Sequence, residues 1–185
     1  MRSTRGLAAT PAGVPLRADD ILEFHAARIL LLFAICGTGG RIDSLTKLAK
    51  LDFFVRYPDF FRRACQTLGL DVEDIETTVE SAMVRHHYGP WDKRYYQVLG
   101  YLEARGLIQT TRVGRAFNLT LTPKGKGIAS QLRMDPNFAV VCGQMKRVKK
   151  VFGQKSGASI KNLIYRVFEK EVALLRHGES ITKSE

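Results

Sequence analysis

Three groups of basic and polar side chains are candidates for binding a ligand. Lys93, Arg94 and Gln97 share a predicted helix, from which they can reach base edges or phosphates in a nucleic-acid groove. Arg112 and Arg115 flank a predicted turn between two strands, where arginine commonly contacts phosphate or the minor groove. The densest basic cluster consists of Lys146, Arg147, Lys149 and Lys150. We interpret these residues as candidate nucleic-acid contacts, with solvated faces of packing helices as the alternative.

The charge of the whole chain agrees with a polyanionic partner. Its 185 residues include 29 Lys and Arg against 18 Asp and Glu, a net charge of +11. The distribution is uneven, because residues 51–80 carry a net charge of −4 whereas residues 81–135 and 136–185 carry +6 each. Such a molecule has sides of opposite charge, and its basic sides suit nucleic acid or an acidic protein surface.

The sequence lacks the patterns typical of catalysis or of metal and cofactor binding. His86-His87-Tyr88 is a candidate metal or general-base site, but neighbouring residues of a strand point to opposite faces, so the two imidazoles do not easily serve one site. The glycine-rich stretches 37–40 and 153–157 lack the order of a phosphate-binding loop. Cys36 and Cys142 lie in apolar stretches and indicate buried thiols. We predict a protein that is not an enzyme and holds neither metal nor cofactor.

The elements that position the candidate contacts begin with a helix. Residues 1–17 have no apolar period and are interpreted as a flexible arm. From Asp19 the apolar spacing predicts a centrally buried helix, which stops at the glycines of residues 37–40. The longest apolar run has 8 residues, too few to cross a bilayer, and no export signal stands out. We therefore predict a cytoplasmic protein without a membrane partner.

The next segment predicts an aromatic corner of the core. Asp43 or Ser44 can cap a second helix, which ends before Pro58 because proline disfavours helical geometry in the preceding residue. A short third helix follows. Asp52 and Arg56 are four residues apart on the second helix and are predicted to pair. Five aromatic side chains at helical spacing are interpreted as core rather than as a binding platform: Phe53, Phe54, Tyr57, Phe60 and Phe61.

Residues 89–125 predict the succession helix, strand, turn, strand, helix. Pro90 suits the first turn of the opening helix, and Gly106 suits its left-handed end. The two strands are predicted at residues 107–111 and 116–122, and Pro123 begins the closing helix. The apolar stripe of the opening helix is predicted to pack on the first helix of the chain. Together with the preceding helices, this pattern predicts a mostly helical α+β fold.

Two further helices are predicted after residue 136. The first carries the basic cluster, and the second, at residues 160–175, has a continuous apolar stripe. An amphipathic helix in this place either packs on a protein partner or folds back onto its own core. Both alternatives stay open at the level of sequence.

Two sequence motifs resemble those of a known fold. They are Y-x-x-L-x-x-L-E-A-R-G-L-I, beginning at Tyr96, and G-R-A-F-N-L-T-L-T-P-K-G, beginning at Gly114. Both resemble the winged-helix regions of MarR-like and PadR-like bacterial regulators, in which the helix before the wing docks on nucleic acid and the wing tip meets phosphates. The resemblance implies a winged helix-turn-helix domain at residues 18–135 with additional N- and C-terminal helices, and a C-terminal helical extension at residues 136–185.

A longer resemblance covers residues 48–64 and 80–108. Their sequences are L-A-K-L-D-F-F-V-R-Y-P-D-F-F-R-R-A and E-S-A-M-V-R-H-H-Y-G-P-W-D-K-R-Y-Y-Q-V-L-G-Y-L-E-A-R-G-L-I. They are similar to the small middle component of bacterial ABC three-component systems, predicted phage-defence operons that also encode an ABC-type ATPase and an effector-like partner. The resemblance implies a non-catalytic adaptor that bridges ATPase and effector, and we predict that it also contacts DNA. The large apolar stripe of the second C-terminal helix predicts a protein partner held through residues 136–176. The alternative is a stand-alone transcription regulator, a homodimer through its terminal helices, that binds a palindromic operator.

Overall fold

The computed structural model describes residues 21–71, 83–86, 89–114 and 116–173, together with Arg176 and Ile181, so the predicted arm at residues 1–17 lies outside the described residues. The described helices are α1 (Leu22–Cys36), α2 (Leu45–Arg56), α3 (Pro58–Thr67), α4 (Tyr95–Ala104), α5 (Pro123–Met134), α6 (Ala139–Phe152) and α7 (Gly157–Val167). The described strands are β1 (Arg41–Ile42), β2 (Val84–His86), β3 (Gly89–Trp91), β4 (Ile108–Val113) and β5 (Ala116–Leu121). The predicted class, mostly helical α+β, is confirmed.

Helix α1 lies at the centre of the fold, as its apolar sequence predicts. Residues 29–33 are at most 1% exposed, so no face of the helix meets solvent there. Helices α2, α4, α5 and α6 all pack against it, which confirms the predicted contact between α1 and α4. The helix ends at Gly37, where a Cβ atom would clash with the carbonyl oxygen of Phe33.

Helices α2 and α3 form the predicted aromatic corner. Ser44, rather than Asp43, caps α2, because its hydroxyl accepts the backbone N–H of Lys47 at 3.1 Å. The break before Pro58 is confirmed. The buried aromatic cluster draws on α2, α3, α6 and the residue that follows α7, and it comprises Phe53, Phe54, Phe60, Phe61, Phe152 and Phe168. Phe54 of α2 stacks on Phe152 of α6 with ring centres 4.6 Å apart.

The antiparallel three-stranded sheet has the order β1-β5-β4. Strand β1 pairs with β5, with Ile42 opposite Leu119. Strands β4 and β5 form a hairpin that closes with Val113 opposite Ala116. Gly106 adopts a φ of +65° between α4 and β4, a conformation that favours glycine. The predicted pair of strands and the predicted glycine terminator are both confirmed.

Pro90 does not begin a helix, so the predicted start of the helix at this residue is wrong. It lies in β3, which pairs antiparallel with β2, and α4 begins only at Tyr95. The φ of proline fits an extended strand as well as a first helical turn, so the pairing partner decides. The side-chain amine of Lys50 donates to the Pro90 carbonyl oxygen at 2.9 Å and ties β3 to α2.

Helices α6 and α7 share the core of the preceding elements. Helix α6 packs against α1 and α2, and α7 packs against α2 and α3. A π-helical turn, Glu169–Ala173, follows α7. The predicted apolar stripe is buried, and its described core members are Ile160, Leu163, Ile164, Phe168 and Val172. Of the two alternatives for this stripe, the structure shows the fold-back onto the chain's own core, so the stripe is not an open surface for a partner held through residues 136–176.

Among the residues that the structure describes, no helix combines the length and the apolar character that crossing a membrane requires.

Candidate nucleic-acid interface

The exposed side of α4 offers few groups that bind nucleic acid. Its exposed residues are Tyr96, Gln97, Gly100, Glu103 and Ala104. Of these, Gln97 can pair with a base edge, whereas the Glu103 carboxylate repels phosphate. Lys93 is exposed just before the helix begins. Lys93 and Gln97 thus lie at the surface, and their contact with nucleic acid stays a prediction.

Arg94 belongs to a charge network that runs into the core. Its guanidinium donates to both carboxylate oxygens of Asp92, at 2.9 and 2.8 Å. Its Nη1 lies 2.7 Å from Nε2 of His25 on α1. The side chain is 28% exposed. A contact of Arg94 with nucleic acid stays a prediction, and it would compete with these interactions.

Two carboxylates and two further arginines are buried deeper in this network. Asp52 on α2 accepts Nε of Arg28 on α1 at 3.0 Å and the hydroxyl of Tyr95 on α4 at 2.7 Å. Arg56 donates to Asp92 at 2.8 Å and lies 3.9 Å from Asp52. The predicted pairing of Asp52 and Arg56 is confirmed, and it forms part of a network that joins α1, α2 and the start of α4.

The pKa shifts follow from this arrangement. Burial acts to raise the pKa of the Asp92 carboxyl, but hydrogen bonds from Arg94 and the charge of Arg56 outweigh it and hold the pKa well below its usual range. Burial, and then the charge of Asp52, raises the pKa of the Tyr95 hydroxyl, which stays a neutral donor. Removing one member of such a buried network leaves its partners uncompensated. The network therefore fixes α4 against α1 and α2.

A groove of about 270 Å³ lies between α4 and the β4–β5 hairpin. Its walls include Tyr96 and Leu99 from α4, and Phe117 and Leu119 from β5. Tyr96 is 66% and Phe117 43% exposed. At Gly100 the groove is open, because no heavy atom lies within 4 Å of the place where a Cβ would stand. Two exposed aromatic rings above the largely buried Leu99 and Leu119 suit a protein surface better than a phosphate backbone.

The β4–β5 hairpin carries the two arginines predicted at the wing. Arg112 is exposed, and its Nε donates to the carbonyl oxygen of Gly114 within the turn at 3.0 Å. Arg115 lies outside the described residues. Contact of either arginine with phosphate stays a prediction.

The basic cluster of α6 divides between a structural contact and the surface. The side-chain amine of Lys149 donates to the carbonyl oxygens of Cys36 and Gly37 at the end of α1, each at 2.9 Å. A cation at a helix C-terminus stabilises that end. Lys146 and Lys150 are exposed, and Arg147 is half-buried. The cluster therefore leaves Lys146, Lys150 and part of Arg147 available at the surface.

Sequence reasoning missed how strongly positive charge concentrates after the hairpin. Residues 123–168 contain ten Lys and Arg and one acidic residue, Asp135. We call the exposed cations of this stretch the basic surface: Lys124, Lys126, Arg133, Lys146, Lys150, Lys155 and Arg166. The run crosses the border between residues 81–135 and 136–185, whose net charges are equal, so the charges of these two segments do not reveal it although the sequence contains it.

The histidine and cysteine candidates of the sequence can be placed in part. Within the described ranges of the chain, no group of His, Cys, Asp and Glu side chains is arranged to hold a metal ion. His87 and Tyr88 of the histidine motif lie outside these ranges. The three cysteines are buried thiols, as Cys36 and Cys142 were predicted to be. Burial raises the pKa of the Cys36 thiol to about 12 and that of Cys65 to about 11, so both stay protonated and unreactive.

No protein-family model, no curated protein and no solved structure matches this chain.

Proposed function

We propose that the chain is a winged-helix protein. The order of its elements supports this: α1, the short strand β1, α2, then α4 and the β4–β5 hairpin, with β5 paired to β1. This is the order of a winged helix-turn-helix in which α3, β2 and β3 are inserted between the two helices of the turn. In this proposal α4 is the helix before the wing, and the β4–β5 hairpin is the wing.

We further propose that it acts in the cytoplasm as a non-catalytic adaptor, bridging the ABC-type ATPase and the effector of a three-component defence system. The observation that carries this choice is the surface of α4. A regulator that reads an operator needs several side chains of this helix at base edges. Among its exposed residues α4 offers Gln97 for that purpose, beside Glu103 and the exposed ring of Tyr96.

The two surfaces then have different partners. The groove between α4 and the wing is apolar and suits a partner protein, whereas the basic surface of residues 123–168 suits a phosphate backbone. Phosphate contacts carry no sequence information by themselves. An adaptor of this kind binds DNA without marked sequence preference while a protein occupies its α4 side.

The test measures both partners. For DNA, selection from random duplexes followed by binding at fixed salt gives the ratio of best-sequence to random-sequence affinity. A regulator shows a ratio of ~10³ or more, and we expect a ratio below about 10 because few groups reach base edges. A high ratio with discrete palindromic footprints and no co-purifying ATPase would establish the regulator instead.

For protein, the tagged chain is purified from cells that also express the ATPase and effector encoded beside it. We expect Phe117→Asp, which places a charge in the groove, to lose the co-purifying partner. Val140→Asp is the matched control, because Val140 is an exposed apolar residue on α6 outside the groove. Equal recovery of ATPase and effector with both variants would overturn the role of the groove.

A further inference from the structure

We propose that a pocket between the turn at residues 38–40 and α5 binds a phosphate group of a nucleic-acid backbone. This inference rests on the proposed contact with nucleic acid and assigns one phosphate of that contact to a place. The pocket has a volume of about 300 Å³. Its lining includes Ala34, Gly39, Gly40, Lys126, Ser130 and Arg133. We call it the α5 pocket.

The polar groups of the α5 pocket lie on one side of one helix. Lys126, Ser130 and Arg133 follow each other at spacings of four and three residues, which brings them to the same face of α5. All three are exposed. An ammonium, a hydroxyl and a guanidinium together offer the donors that phosphate oxygens accept, and the guanidinium can do so with two parallel hydrogen bonds.

The positive charge of the pocket is not neutralised by nearby carboxylates. Asp43, close to the turn, pairs with Arg41 at 2.9 Å. Asp135, at the end of α5, accepts the backbone and side-chain N–H groups of Asn137 at 2.9 and 3.0 Å. Helix α5 itself has no acidic residue. Lys126 and Arg133 form no ion pair with any residue that the structure describes.

Helix α6, which carries the basic cluster, packs beside α5. Burial raises the pKa of the Cys142 thiol, and the charges of Arg133 and Lys146 both oppose that rise, so these two cations lie near the same residue of α6. Arg133 thereby connects the α5 pocket with the exposed part of the basic cluster. A backbone that leaves the pocket meets further cations along α6.

The turn gives a phosphate room to approach. Gly40 has a φ of +83°, and a Cβ there would lie 3.3 Å from the Leu121 side chain and 3.5 Å from Cε of Lys126. Gly39 has a φ of +62°, with no heavy atom within 4 Å of the position of a Cβ. Glycine at these positions both permits the turn and leaves the pocket open on this side.

The shape favours a backbone phosphate over a free nucleotide. Sites for small molecules enclose most of the ligand, whereas four of the residues named above, Gly39, Lys126, Ser130 and Arg133, are exposed. The described lining contains no aromatic ring on which a base could stack. An open pocket with cations continuing beside it suits a strand that passes across it.

The experiment titrates the full-length chain with a labelled random duplex over a range of salt concentrations. The test variant is Lys126→Gln with Arg133→Gln. The matched control is Arg63→Gln with Arg105→Gln, which removes the same charge from exposed positions outside both the basic surface and the α5 pocket. Two lost phosphate contacts reduce the slope of log K against log salt by about 1.8 and weaken binding about 30-fold near 150 mM salt. We expect that loss in the test variant and less than about 3-fold in the control, because a control lacking a direct phosphate contact loses only screened long-range attraction.

Each other outcome is decisive. Equal weakening by both variants overturns the pocket and leaves the proposed nucleic-acid contact standing, because general charge then accounts for the binding. A wild-type chain that binds no duplex overturns both. Inorganic phosphate or a mononucleotide that shifts the amide signals of Gly39 and Gly40, when the duplex does not, overturns the backbone assignment in favour of a free ligand. Ser130→Asp is a second variant at an exposed position, and it is expected to weaken duplex binding without changing the thermal midpoint.

Discussion

Helix α2 separates two buried clusters of opposite chemistry. Phe53 and Phe54 enter the aromatic cluster, and their neighbours Asp52 and Arg56 enter the charge network, all of them essentially buried. The aromatic cluster anchors the C-terminal helices through Phe152 of α6 and through Phe168, which follows α7. The charge network anchors α4. The charge network thus holds the α4 wall of the proposed protein-binding groove, whereas the aromatic cluster holds the α6 and α7 part of the basic surface.

The two kinds of support differ in what they specify. Apolar burial is non-directional, so an aromatic cluster tolerates repacking within a given volume. Hydrogen bonds between buried charges require particular distances and angles, and they are costly when one member is missing. We therefore infer that the position of α4 is defined more narrowly than that of α6 and α7.

The largest effect is expected for Asp52→Ala in the charge network. Asp52 is 0% exposed, and its removal takes an acceptor from Arg28 and from Tyr95. Breaking a buried ionic interaction costs about 3–5 kcal/mol, and the loss here should lie at the upper end because more than one donor is affected. Urea unfolding monitored by circular dichroism measures it. A smaller loss of unfolding free energy than that of Phe54→Ala would show that the network contributes little.

The second effect is expected for Phe54→Ala in the aromatic cluster. Phe54 is 0% exposed and touches the rings of Phe53, Phe61 and Phe152. Truncating a buried phenylalanine costs about 3–5 kcal/mol, with the lower part of the range expected where neighbours can relax into the space. The control is Phe117→Ala, exposed in the groove, which should change stability by less than about 1 kcal/mol. Equal losses at both positions would mean that Phe54 is not part of a packed core.

The two clusters also differ in how far the sequence could predict them. The aromatic corner is visible because its first members lie within Phe53–Phe61 at helical spacing, and burial of apolar side chains needs no specific partner. For the charges, the sequence suggests the local pair Asp52 and Arg56 alone. Asp52 is 24 residues from its partner Arg28 in α1 and 43 residues from its partner Tyr95 in α4. Arg56 is 36 residues from its partner Asp92. Hydrogen bonds over such separations depend on the tertiary arrangement, which local spacing does not contain.

The same reason explains what could and could not be predicted at the surface. The start of α4 was misplaced because Pro90 is compatible with a strand and a helix, and its pairing with β2 decided between them. The candidate role of Lys149 did not include its contact with the end of α1, 112 and 113 residues away along the chain. The hairpin and the basic charge, by contrast, follow from local sequence.

The third effect concerns Lys50, a buried cation of α2 that belongs to neither cluster. Burial, and then the charge of Lys161, lowers its pKa to about 7. The unfolded chain, with a lysine pKa of ~10.4, binds the proton more strongly, so stability rises as the pH increases above about 7. The slope is at most about 1.4 kcal/mol per pH unit. Between about pH 7 and 8.5 we expect wild type to gain about 1–2 kcal/mol relative to Lys50→Met.

The comparison of wild type with Lys50→Met isolates this group. At higher pH the buried thiol of Cys36 acts in the opposite direction. The unfolded chain then releases the thiol proton while the folded chain, with its raised pKa, keeps it, and this stabilises the unfolded chain. That contribution is common to both proteins and cancels in their difference. Unfolding free energies that run parallel for the two proteins over this range of pH would contradict a depressed lysine pKa.

The smallest effect is expected for Arg94→Gln, at the solvent-exposed end of the charge network. Solvent screens its interaction with Asp92, and Arg56 still holds that carboxylate, so we expect a loss of about 1 kcal/mol at neutral pH. The pKa of Asp92 lies below its unfolded value, so the carboxylate contributes stability above about pH 4 and loses it as the pH falls. Without Arg94 that pKa rises, and the difference between variant and wild type should therefore shrink below about pH 4. Lys93→Gln, at the exposed neighbouring residue, is the control and should leave stability unchanged. If Arg94 instead binds nucleic acid, as the sequence predicts, the variant will keep its stability at every pH and bind the random duplex more weakly than wild type.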